Sequence, residues 1–134
     1  MSNNAALQSS LALVGRLLLA VIFIVSGVEK AADPAGTIAY ISAANLPLPR
    51  VAYAIALVAE IGGGILLVLG YQARLVALVL AAFTLASALG FHMEFDDTNQ
   101  LIHFMKNLAI TGGFLQIVAF GAGGLSLDAR AGRA

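Results

Sequence analysis

The sequence predicts an all-α membrane protein: a four-transmembrane-helix bundle with a short interfacial helix between spans one and two. Composition is the first observation. The chain has 134 residues, of which 60% are hydrophobic and 10% charged, and its mean hydropathy is +0.95. A soluble domain is about half apolar and about a quarter charged, so this chain has too few charges to coat a water-exposed surface. The second is the arrangement of the apolar residues in four runs, at about 11–28, 50–70, 73–91 and 103–120. Each is close to the roughly 20 residues that carry a helix across a bilayer core of about 30 Å. The third is the helix-breaking and capping residues between the runs, which divide the chain without opening a second domain. Residues 1–134 therefore read as one integral membrane domain.

Composition also excludes functions. Seven basic and seven acidic residues cancel, so nucleic acid is not an expected partner. With no cysteine, the chain has no disulfide, no dithiol chemistry and no thiolate metal ligand. No Lys or Arg precedes Arg16, so residues 1–10 lack the positive start of a secretory signal and read as a polar, frayed end.

Span one, 11–28, carries Arg16. Arg16, Ala20, Phe23 and Gly27 share one helical face. Asp33 is placed as an N-cap and Pro34 as the first helical residue; Asn45 is placed to close the helix in a left-handed conformation, before Pro47 and Pro49. This predicts an interfacial helix over 34–44. Span two, 50–70, holds a single carboxylate near its middle. Ala52, Ala56, Glu60 and Gly64 recur every four residues, so Glu60 lies on a stripe of small residues where another helix approaches. An acid at that depth costs several kcal/mol unless paired, neutral or wetted, and marks a functional site. Gly62, Gly63 and Gly64 either admit a neighbouring backbone or loosen the helix there.

The stretch 70–74 predicts a tight turn that makes spans two and three antiparallel neighbours. Span three carries two small-residue stripes, Ala73–Ala77–Ala81 and Ala82–Ala86–Gly90, which predict packing on both sides. A polar loop over 92–102 leads to span four, 103–120, and the Gly/Ala-rich tail 121–134 reads as flexible. Four spans put both termini on one side, with Arg16, Arg74, Arg130 and Arg133. The other side holds Lys30, Arg50, Lys106 and most of the acids. The expected orientation has both termini in the cytoplasm.

Four pieces of this pattern resemble the DoxX family of small four-span bacterial inner-membrane proteins. They are Arg16-Leu-Leu-Leu-Ala running into Ser26-Gly-Val-Glu-Lys30; the segment ending Asn45-Leu-Pro47; Glu60-Ile-Gly-Gly-Gly64 through to Arg74; and Phe104-Met-Lys-Asn-Leu108 with Gly112-Gly113. The resemblance covers about 11–120. It implies a multi-pass protein of the bacterial inner membrane and work near the quinone pool. The family takes its name from a subunit of a terminal quinol oxidase, and relatives look like subunits of quinone-linked oxidoreductases. No haem, flavin or iron–sulfur motif is present, so no covalently bound cofactor is expected. A quinone is the expected ligand, and a redox complex the expected partner besides the lipid bilayer. A homo-oligomer stays open.

Two constellations carry candidate chemistry. Arg16 and Glu60 form an expected intramembrane polar pair, since the arginine side chain spans the difference in their depths; bonds from each to other helices that serve packing only, or snorkelling of Arg16, are the alternatives. At the other side, Lys106, Asn107, His103, His92 and Glu29 are the candidate ligand or quinone contacts. A lysine beside an asparagine donates to a carbonyl oxygen, and a histidine relays a proton near neutral pH. Interfacial anchoring is the alternative. His92, Glu94 and His103 have a spacing too loose to assign a metal, and no catalytic residue is assigned. Three classes follow: a quinone-proximal accessory subunit of a redox system, a non-enzymatic membrane scaffold or assembly factor, and an oligomeric small-solute transporter.

Overall fold

A computed structural model describes residues 2–133; Met1 and Ala134, at the ends of the segments expected to be frayed or flexible, lie outside the described residues. The described residues form helices and no strands. Four of these helices are long and apolar enough to cross a membrane: α1 (Asn3–Ala32), α3 (Pro49–Leu69), α4 (Ala73–Phe91) and α5 (Thr98–Phe120). The short helices are α2 (Pro34–Ala43) and α6 (Leu127–Arg130).

Helix α1 begins well before position 11, because Ser2 caps it, its Oγ accepting from the Ala5 amide at 3.3 Å. Its 30 residues rise about 45 Å, more than the bilayer core needs. The face that Arg16, Ala20, Phe23 and Gly27 share is buried, and Ser9, in the segment expected to be frayed, is buried with it. The interfacial helix is formed as the sequence predicts. Asp33 Oδ1 accepts from the Gly36 amide at 3.0 Å, Pro34 opens the helix, and Asn45 closes it with φ 58°.

Helix α3 is not uniform. Val58–Gly62, centred on Glu60, is a π-helical turn. Such turns carry one residue more than an α-turn and recur at functional sites. The three glycines sit in the loosened turn and at close contacts just after it, mainly with side chains. Gly62 lies inside the π-turn, and the next two meet neighbours: a Cβ on Gly63 would lie 3.0 Å from Leu80 Cδ2, and one on Gly64 2.6 Å from Ile24 Cγ1. Gly27 on α1 mirrors this, since its Cβ would lie 2.6 Å from Ile61 Cγ1. So α1 packs closely on the second half of α3. Helices α4 and α5 pack along one another as a second pair. Phe23 of α1 and Phe114 of α5 join the pairs at 5.3 Å between ring centroids.

Three expectations are corrected. On α4, Ala73, Ala77 and Ala81 are buried, but Ala82 and Ala86 are exposed, so the helix packs through one small-residue stripe and not two. Helix α5 starts at Thr98 within the expected polar loop, because Asp97 caps it through Oδ1 and the Asn99 amide at 2.9 Å. The segment after Phe120, expected to be flexible, is packed against the bundle. Ser126 and Asp128 are buried, and Gly123 and Gly124 lie against Ala12 and Ser9 on the extended start of α1.

Candidate functional site

A cavity of about 460 Å³ lies in the half of the bundle opposite the termini. It falls within the roughly 300–1,000 Å³ typical of small-molecule sites. Helices α1 to α5 all contribute walls. The apolar lining includes Ile22, Ile41, Leu46, Ile55, Phe83 and Phe91. Helix α2 closes one side, with Tyr40 stacked on Phe91 at 5.2 Å and 10° between planes.

Polar groups stand on two walls. On the α1–α3 wall, Glu60 is 5% exposed and lines the cavity. Its Oε1 accepts from Lys30 Nζ at 3.0 Å and from Ser26 Oγ at 3.2 Å. Lys30 Nζ also reaches Ser26 Oγ at 2.7 Å, and Tyr53 donates to the Lys30 carbonyl at 3.0 Å, tying the end of α1 to α3. Glu60 Oε2 is buried without any hydrogen-bond partner. On the α4–α5 wall stand Thr84, Ser87, His92, Lys106 and Asn107. Asn107 Nδ2 donates to the Thr84 carbonyl at 3.3 Å. Lys106 Nζ lies 3.0 Å from His103 Nδ1, and an ammonium has only donors, so Nδ1 accepts. His103 stacks on His92 at 5.1 Å. His92, just past the end of α4, is held below the usual imidazole value by its burial, and further by His103 and Lys106.

The structure brings together His92, Lys106 and Asn107 at the cavity, with His103 behind Lys106. Glu29 is exposed and outside the lining. The expected Arg16–Glu60 pair does not form. Arg16 is 2% exposed and points to the other end of the bundle, where Nη1 donates to the Leu67 carbonyl at 3.2 Å and Nη2 to the Leu125 carbonyl at 2.5 Å. The tail supplies that second acceptor and fixes the guanidinium at that end, its Nε buried without a partner, and Glu60 takes Lys30. The signal for Lys30 was present: Ser26 and Lys30 are four residues apart on α1, on the face that carries Gly27 toward α3. No group of three His, Asp or Glu side chains suited to a metal gathers among the described residues.

No solved structure matches the chain. Two curated proteins of Escherichia coli (strain K12) do. Inner membrane protein YqjF is 40% identical over 119 residues, 87% of this chain and 88% of that one. Inner membrane protein YphA is 35% identical over 130 residues, 93% of each. The family model described as DoxX matches residues 11–93, the part that builds α1, α2, α3 and α4. With this match and relatives alike over nearly their whole length, the four-span chain belongs to the DoxX family.

Proposed function

We propose that this protein binds an isoprenoid quinone between its helices and serves as an accessory subunit of a quinone-linked redox system. The observation that carries the reading is the cavity, with apolar sides and polar groups on two walls. A planar ring with oxygens at opposite edges matches that distribution. One oxygen meets Lys106 and Asn107, the other the Lys30–Ser26–Glu60 wall, and the tail lies among Ile22, Ile41, Leu46 and Ile55. His103, touching Lys106, is placed to relay a proton from the loop side. The inner-membrane names of the relatives support placing the protein in that membrane. The arginines at Arg74, Arg130 and Arg133 support termini in the cytoplasm.

The test is saturable binding of a short-chain quinone analogue to the purified protein in lipid nanodiscs. Lys106 is exposed on its helix, so Lys106→Ala is expected to leave folding intact. It should weaken binding by about 1–3 kcal/mol, the usual cost of losing a charged donor. Absence of saturable binding, or equal binding by the variant, would move the assignment to a scaffold for a partner protein.

A further inference from the structure

One oxygen of Glu60 has no donor. An ionised carboxylate has roughly four lone-pair sites on two oxygens. Both of its donors, Ser26 Oγ and Lys30 Nζ, converge on Oε1. The second oxygen is buried with none. A buried acceptor left unpaired costs about 1–3 kcal/mol, and each such group in a folded protein calls for an explanation. The group lies on a cavity wall, in the one π-helical turn among the described residues. Glu60 lines the cavity and the last torsion of a glutamate is soft, so turning the carboxylate would present the free oxygen to a donor seated there.

We infer that the cavity prefers its ring in the hydroxyl-bearing form, a hydroquinone or phenol, with Glu60 accepting the ligand's O–H. This rests on the reading that the cavity binds a quinone-type ring. The discrimination follows from donor and acceptor counts. A quinone carbonyl only accepts, and can use Lys30, Lys106 or Asn107 but not the free carboxylate oxygen. A hydroquinone hydroxyl accepts from the same donors and also donates. The cationic donors therefore serve both forms, and Glu60 serves one. Ser26 and Lys30 hold the carboxylate in place from α1, and the backbone contact at Gly27 sets the distance between α1 and Glu60, where a Cβ would come 3.1 Å from Glu60 Cβ. Glu60 and its two supports are thus specificity-determining residues of the site.

The experiment compares decylubiquinone with decylubiquinol, kept reduced under argon, binding to the full chain in nanodiscs at neutral pH. The wild-type protein is expected to bind the quinol about ten- to a hundredfold more tightly, the range for one hydrogen bond to a charged acceptor. Glu60→Gln is expected to bring the ratio near one, because an amide can donate to a carbonyl as well as accept. Infrared difference spectra of the wild-type protein supply a readout that needs no variant: quinol is expected to shift a carboxylate stretching band, and quinone to leave it in place. Equal binding of the two forms, or tighter binding of the quinone, with no carboxylate shift, overturns the inference while leaving the quinone reading standing. Binding of neither form overturns both.

Discussion

Asp128 closes the bundle at the end that carries the termini. It is 4% exposed, and its two oxygens accept from the backbone amides of Gln72 and Ala73, each at 2.8 Å. These are amides at the start of α4, where a helix has unpaired donors and favours negative charge. Gln72, at φ 50°, makes no cap bond with its own side chain, and the tail supplies the cap. Arg133 adds a contact at 3.2 Å. Burial pushes the Asp128 carboxyl up, but the Ala73 and Gln72 amides and the Arg133 guanidinium together outweigh it and hold it below the usual carboxylate range. A depressed carboxylate contributes stability that is fully present above its unfolded value, about 3.9, and is lost as pH falls through the folded one. The melting temperature in detergent is therefore expected to decline in acid more steeply for the wild-type protein than for Asp128→Ala. At pH 7 the variant is expected to be less stable by about 1–3 kcal/mol, with faster tryptic cleavage at Arg130. Unchanged melting and cleavage would show that the tail is not held by this cap.

At the scale of elements, two glycines set how the helices meet. Gly70 ends α3 at φ 66°, and a Cβ there would strike the Arg16 guanidinium. The turn that joins α3 to α4 is thus tied to the buried arginine and to the tail. Gly27 sets the other contact. A Cβ on it would meet Ile61 Cγ1 at 2.6 Å and the Ile61 backbone nitrogen at 3.3 Å. The backbone has nowhere to yield without moving α1 off the π-turn. Gly27→Ala is expected to destabilise the protein by about 1–3 kcal/mol, the range for overpacking a tight contact. It should also displace Lys30 and Ser26 from Glu60. Thermal melting in detergent measures the first effect, and loss of quinone-analogue binding at a temperature where the variant is folded measures the second. A variant that melts and binds as the wild type does would mean that the helices separate here without cost.

At the scale of the molecule, the two ends of the bundle do different work. The end with the termini is fastened: Arg16 donates to carbonyls of α3 and the tail, Asp128 caps α4, and Arg74 Nη1 donates to the carbonyls of Val118 and Ala119 at 2.9 Å each. That last contact occupies the unpaired end of α5. The opposite end is open, with the cavity between the helix pairs and α2 across one side. Both termini and Arg74 lie on the fastened side, and the α4–α5 loop lies on the other. Since the chain has no cysteine, a single Thr98→Cys, at the first residue of α5, reports that side alone. It is expected to react with a membrane-impermeant maleimide from the periplasmic side of intact cells. Labelling only after the inner membrane is opened would invert the proposed orientation.

The membrane class, the four spans, the short helix with its Asp33 and Asn45 caps, and the small-residue face that hides Glu60 are legible in the sequence. Each of these rests on local quantities: hydropathy over about twenty residues, capping chemistry and the period of a helix. The sequence also places His92, Lys106 and Asn107 at one end of the bundle. Which charges meet depends on contacts between distant parts of the chain. Glu60 stands near mid-span, so depth alone allows a cation from either end of α1, and two contacts far apart in sequence break the tie. Leu125 of the tail takes up Arg16, and the Gly27 contact brings Lys30 and Ser26 over the π-turn. The folded tail was hidden for the same reason. A Gly/Ala-rich segment carries no periodic signal, and what orders it is a buried aspartate whose partners lie 55 and 56 residues away.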